Sequence, residues 1–232
     1  MLATTIYTLV AQSRVLPKYR VALVMSSMVT FIAAYHYFRI FNSFEESSNG
    51  DAVMIGVGKG AFNEAYRYVD WILTVPLLLV EVVAVLALAK AASTSLIQRL
   101  VPASAAMIAL GYPGEISSDN GTKTLYGVLS TIPFLYILYV LFVELSKSLD
   151  RQPEGVAATV GRLRLLLIAT WGVYPISYLL PLLGQDINDP NLFMWRQVGY
   201  TVADVLAKCV FGLTIFKIAR MKSVAEGMKD DH

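Results

Sequence analysis

The sequence predicts an all-α membrane protein, a single domain over residues 1–232 built as a seven-transmembrane helix bundle. Three observations carry the prediction. The 232 residues are 56% hydrophobic and only 16% charged, with a mean hydropathy of +0.57, whereas about a quarter of a soluble chain is charged. The apolar residues collect into seven runs, and the breaks between them are rich in Gly, Pro, Asn, Asp and Ser. A membrane span needs roughly 20 mostly apolar residues, so this length holds seven spans and leaves no separate soluble domain.

In chain order the runs fall near 1–13, 21–41, 65–89, 96–112, 124–146, 163–183 and 193–219. The first is short: 13 residues reach only about 20 Å at 1.5 Å per residue, while the hydrocarbon is about 30 Å thick. Two readings are open, a fuller first helix with residues upstream of Met1, which is the expectation, or a genuinely short one; no cleavable leader is recognisable. The longest break, "NSFEESSNGDAVMIGVGKG", contains the β-capable stretch "AVMIGVG", for which a short β-hairpin over one mouth of the bundle is expected between the second and third helices. Basic residues accumulate in short cytoplasmic loops. An outside amino terminus puts Arg14, Lys18, Arg20, Lys90, Arg99, Lys147, Arg151, Arg162, Arg164, Lys217, Arg220, Lys222 and Lys229 on the cytoplasmic side, with the carboxyl terminus inside. The expected location is the plasma membrane, crossed several times.

A net charge of +2 gives no basic surface for a nucleic-acid partner. The lone Cys209 excludes an internal disulfide and a cysteine-clustered zinc site, since each needs two thiols.

Ionisable residues inside spans cost about 2.5–3.5 kcal/mol each on insertion scales and by default mark function. The third span, "RYVDWILTVPLLLVE", carries Arg67, Asp70 and Glu81; the seventh, "YTVADVLAKCVFG", carries Asp204 and Lys208. At 3.6 residues per turn Arg67, Asp70 and Thr74 share a face, and Glu81, 11 residues beyond Asp70, returns to within about 20° of it after a rise of about 16 Å. One helix thus holds two acids at different depths, separated by Leu77, Leu78 and Val80, a column suited to staged proton movement. Asp204 and Lys208 stand four apart and stack on one face. Spacing alone leaves two readings open: a structural ion pair, or an amine that desolvation makes available to an aldehyde.

"RYVDWILTVPLLLVE" with "WGVYPISY" and "DVLAK" resembles the microbial rhodopsins over essentially the whole chain. The resemblance implies all-trans retinal in the bundle core, joined to Lys208 as a Schiff base, with Asp70 and Asp204 as counterions and Arg67 beside them. At the three third-helix positions that separate ion types in the family, Asp70, Thr74 and Glu81 are similar to the proton pumps of the proteorhodopsin and xanthorhodopsin branch; chloride pumps lack the first carboxylate and sodium pumps resemble Asn-Asp-Gln. The implied function is light-driven outward proton transport, with Asp70 as acceptor and Glu81 as cytoplasmic donor. A sensory photoreceptor on the same scaffold is the alternative, although many sensors lack a carboxyl at the Glu81 position.

Within that branch the resemblance implies that His36, in "YHYFRIFNS", bonds to Asp70. Trp71, Trp171, Tyr174 and Tyr178 correspond to residues that sandwich the polyene, with Met107, Gly111 and Pro175 near its ring, and Leu78 corresponds to a colour-tuning leucine that accompanies green absorption. Gly127 falls where xanthorhodopsin-like pumps leave a gap for a ketocarotenoid antenna; eased helix packing is the competing reading. Arg196 stands where bacteriorhodopsin has one of its proton-release glutamates, which leaves the exit group open, with Glu64 and Asp51 as nearby candidates. The expected partners are protons, the lipid bilayer, further copies of the chain and a carotenoid.

Overall fold

The computed structural model describes residues 1–47, 60–149, 152–153, 155–183 and 189–229. They form seven helical rods and, among the described residues, no strand; the stretch expected to form a hairpin lies outside them. The first rod is α1 (Leu2–Val10), continued by a 3-10 turn over Ala11–Arg14. Next come α2 (Pro17–Ser47), α3 (Ala65–Leu86), α4 (Lys90–Glu115), α5 (Asn120–Leu149) and α6 (Val156–Leu183). The seventh rod is composite: α7 (Pro190–Asp204), a π-helical turn over Val205–Val210, and α8 (Phe211–Ala225).

Helix ends follow local chemistry. Pro17 and Pro190 open their helices, where a missing N–H costs nothing. Asp189 caps α7 by accepting the Asn191 N–H at 2.8 Å. α3 stops at Ala87, which turns left-handed at φ 51°; Lys222 then donates to the carbonyls freed there, those of Val85 and Leu86, at 3.1 and 3.0 Å. The helices outrun the apolar runs by a turn or two of polar residues at several ends, because a helix continues into the interfacial layer after hydrophobicity ceases.

Successive helices pack side by side, and α8 closes the ring against α2, α3 and α6. The outer surface is apolar, with Phe31, Phe38, Ile132, Tyr139 and Ile176 each about 60% or more exposed. Charges lie inside: Arg67, Asp70, Glu81, Glu115, Asp204 and Lys208 are all buried. That inversion is the architecture of a seven-helix membrane protein. Four helices, α2, α3, α5 and α6, are long and apolar enough to cross by length and composition. The first rod is too short for that criterion, and the seventh is interrupted by its π turn and its charges. The short first rod is tied to α2 by Thr8 to Ser27 at 2.7 Å and Thr5 to Thr30 at 2.8 Å, interhelical bonds worth on the order of 0.6–2 kcal/mol each.

At the end of the bundle carrying most Lys and Arg, Ser223 accepts the Leu16 N–H at 2.9 Å, and Glu226 takes the Tyr19 hydroxyl at 2.6 Å and pairs with Lys18. Partial burial pushes the Glu226 carboxyl up, but bonds from Lys18 and Tyr19 outweigh it and hold the group below the usual carboxylate range.

Candidate functional site

Lys208 lies inside the π-helical turn, a widened geometry that recurs at functional positions. Its Nζ is 3.0 Å from Asp204 Oδ1 and is hydrogen-bonded to Asp70 Oδ2. All three groups are 0–1% exposed, and burying charges so completely costs several kcal/mol per ion unless they are paired. The two acids expected beside Lys208 are both there.

Their surroundings differ in a way that separates their roles. Asp204 is fully occupied: Oδ2 accepts from Tyr37 at 2.7 Å and faces Arg67 Nη1 at 3.5 Å, Oδ1 accepts from Tyr174 at 2.7 Å, and the Trp71 indole N–H reaches both oxygens at 3.1 and 3.3 Å. Asp70 has Lys208 on Oδ2, while its buried Oδ1 finds no hydrogen-bond partner among the described residues. A carboxylate whose lone pairs are all engaged keeps its charge; one with an idle oxygen is the better proton acceptor.

His36 is beside Asp70 but does not bond to it. Its Nδ1 stands 3.8 Å from Asp70 Oδ1 and 3.0 Å from the Ile32 carbonyl, one turn back on α2. The expected His36–Asp70 pair is thus present as a close approach, longer than a direct hydrogen bond, with Nδ1 nearer the Ile32 carbonyl. Thr74 is fully buried and donates to the Asp70 carbonyl at 2.8 Å, tying the acid's own backbone.

Beside Lys208 opens a concave, mostly apolar cavity of the kind that takes small molecules. Trp71, Trp171, Tyr174 and Tyr178 line it, as do Leu78, Met107, Gly111, Pro175 and Gly127, with Lys208 among the lining residues. Every pocket residue expected from sequence therefore faces one space. A Cβ on Gly127 would meet Tyr178 Cε1 at 2.8 Å, and one on Gly111 would meet the Tyr68 hydroxyl at 3.3 Å. Glycine at 127 thus has a packing reason of its own, the close approach of the Tyr178 ring.

Glu81 is fully buried further along α3. Ser26 of α2 donates to its Oε1, and Oε2 has no partner among the described residues. Leu78, Leu79 and Val82 around it belong to the main apolar core, so little water reaches this acid from the cavity side.

A second polar cluster sits at the opposite end from Glu226. Arg67 Nη2 donates to Gln197 Oε1 at 2.9 Å, and Gln197 Nε2 donates to Glu64 Oε1 at 2.8 Å. Arg196 bridges Glu64, at 2.6 Å, and Glu115, at 3.0 Å. Sequence reasoning missed Tyr37, Gln197, Glu115 and Ser26. Tyr37 adjoins His36 in a buried segment and was open to detection; Glu115 was read as loop but is the buried last residue of α4. Asp51, the other exit candidate, lies outside the described residues.

A family model described as bacteriorhodopsin-like protein matches residues 1–221. The chain belongs to that family. Among bacteriorhodopsin-like relatives, the green-light absorbing proteorhodopsin of Gamma-proteobacterium EBAC31A08 is 29% identical over 224 residues, covering 96% of this chain and 83% of its own. Among solved structures, xanthorhodopsin, described as a light-driven ion pump with dual chromophore, superposes with a TM-score of 0.86 at 46% identity, covering 98% of this chain and 90% of that one. Thermophilic rhodopsin superposes with a TM-score of 0.88 at 44% identity over the same shares. Membership of this bacteriorhodopsin-like family implies a retinal chromophore and a multi-pass membrane protein.

Proposed function

We propose that this chain is a light-driven outward proton pump, with all-trans retinal attached to Lys208, Asp70 as proton acceptor and Glu81 as cytoplasmic proton donor. The observation that carries the reading is the contrast between the two acids at Lys208, one saturated with donors and one with an idle oxygen. Retinal fits the residues present, an apolar, aromatic-walled cavity with an amine at its end, and when bound as a protonated Schiff base it supplies light absorption and the isomerisation that reorients the N–H at Lys208 Nζ.

The chain's own residues do the rest. Asp204, fixed by Tyr37, Tyr174, Trp71 and Arg67, stays ionised and stabilises a positive charge at Nζ. Asp70 takes the proton from Nζ and passes it toward the Arg67 end. Glu81, neutral in its dry setting, returns a proton to Nζ from the Lys- and Arg-rich side, which we assign to the cytoplasm of a cell whose plasma membrane holds the protein. The apolar side chains between Glu81 and the cavity keep water from short-circuiting the two steps. Leu78 in the cavity wall accords with a green absorption band, and assembly with further copies of the chain is part of the proposal.

A pump acidifies the medium of retinal-supplied, illuminated cells. We expect a light-induced acidification that a protonophore removes, and light-independent pH in the same cells would contradict the proposal. The Glu81 carboxyl favours transport over sensing, because a sensor gains nothing from a group that restores the proton quickly.

A ketocarotenoid is proposed as a second ligand beside Gly127, which is half-buried between exposed Thr124 and Val128. Adding one to the purified pigment is expected to put carotenoid bands into the action spectrum, and Gly127→Trp to remove them. A spectrum with retinal bands alone leaves Gly127 as the seat of the Tyr178 ring.

A further inference from the structure

The hydroxyls buried on these helices mostly turn back onto their own backbone. Ser27 donates to the Leu23 carbonyl at 2.8 Å, Thr30 to that of Ser26 at 2.9 Å, Thr74 to that of Asp70 at 2.8 Å and Ser223 to that of Ala219 at 2.7 Å, the local bond that a helical Ser or Thr makes for itself. Ser26 does otherwise: its Oγ reaches across from α2 and donates to Glu81 Oε1. Among the described residues this is the one hydrogen bond to the Glu81 carboxyl, whose Oε2 is buried and unpartnered. The third wall of the seat is Gly212, buried in the first turn of α8. A Cβ there would meet Ser26 Oγ at 2.8 Å, nearer than real Cβ atoms come, while Ser26 Cβ would stand at 3.5 Å and Glu81 Oε1 at 3.8 Å, both ordinary contacts. The collision is therefore with a single atom, the donor of the bond to Glu81. Rotation about the Ser26 Cα–Cβ bond relieves it by sending the hydroxyl back to the α2 backbone, as in its neighbours. Glycine inside a helix costs stability relative to alanine. Its presence beside buried Phe211 and one turn from buried Ile215 needs a local reason, and the Ser26 hydroxyl supplies it.

Resting on the pump reading, in which Glu81 returns the proton to Lys208, we infer that Gly212 is a positioning residue for the donor: by carrying no Cβ it holds open the space in which Ser26 keeps its bond to Glu81. The rod that carries Lys208 thereby also shapes the seat of the acid that reprotonates it, two residues beyond the π turn. A hydrogen bond donated to a carboxyl favours its ionised form, so Ser26 eases departure of the proton. A side chain at 212 acts on that step through Ser26 alone.

Infrared spectra and flash photolysis of Gly212→Ala, Ser26→Ala and the double variant test this. In the dark protein, the carboxylic C=O band that Glu81→Gln removes is expected to move to higher wavenumber in Ser26→Ala, where the carbonyl has lost its donor. The same displacement is expected in Gly212→Ala and in the double variant. Return of the proton to Lys208 is expected to slow by one common factor in all three, roughly 2- to 10-fold for a single lost hydrogen bond. A Gly212→Ala band at the wild-type position, or a double variant in which the two effects add, overturns the inference. Should Gly212→Ala fail to fold, Ser26→Ala/Gly212→Ala is expected to fold, because the clashing atom is gone; failure of both overturns the inference as well. A protein that shows no proton return after a flash, wild type included, contradicts the pump reading, and the band positions then decide Gly212.

Discussion

Asp70→Asn is expected to leave a coloured protein that no longer moves protons. Asparagine keeps the shape of the side chain and a hydrogen-bonding oxygen for Lys208, so the pocket still assembles, but the amide has no place for a proton at Oδ1. Removing a positioned proton-transfer group typically costs 10²–10⁴-fold, and here no neighbour replaces it, since every lone pair of Asp204 that faces the site is already engaged. Light-driven acidification is expected to fall at least about 10²-fold, to the background of cells without retinal. The absorption band is expected to move to longer wavelength, because one of two negative charges beside the pigment's positive end is gone. Undiminished pumping by Asp70→Asn would remove it as acceptor and turn attention to Asp204.

Glu81→Gln is the complementary case. Glutamine still takes the Ser26 hydroxyl bond at its oxygen, so α2 and α3 stay joined. What is lost is the proton itself. Return of the proton to Lys208 must then come from bulk water across the apolar layer around Leu78, Leu79 and Val82. Flash photolysis is expected to show that step slowed by about 10²-fold, with the earlier transfer to Asp70 unaltered; added azide, a small proton carrier, is expected to restore much of the rate. An unchanged photocycle would refute the donor role.

The bundle was legible from the sequence because a membrane span is a composition signal. Runs such as 124–146 need no partner to be recognised. The π turn at Val205–Val210 was not, since widening by one residue leaves the Asp204–Lys208 spacing readable as an ordinary helical pair. Of the site, the residues on one helix or in one motif were visible: Asp70 and Glu81 on α3, Asp204 and Lys208 on the seventh rod. Residues whose role depends on which helix faces which were not. Ser26 meets Glu81 across 55 positions of sequence, and nothing near either residue announces it. Glu115 lies in a stretch of Gly, Pro and Ser that reads as a break, although α4 runs through Pro113 to include it. The His36–Asp70 distance of 3.8 Å reflects a local feature, the carbonyl of Ile32 one turn away, which no side-chain pattern records.

Mass analysis of the protein after borohydride reduction of its pigment asks the central question most directly. The expected result is the mass of reduced retinal on the peptide bearing Lys208 and on no other lysine, with loss of the visible band on the same time course. A label on Lys123 or Lys222, or a coloured protein that yields no labelled lysine, would contradict it.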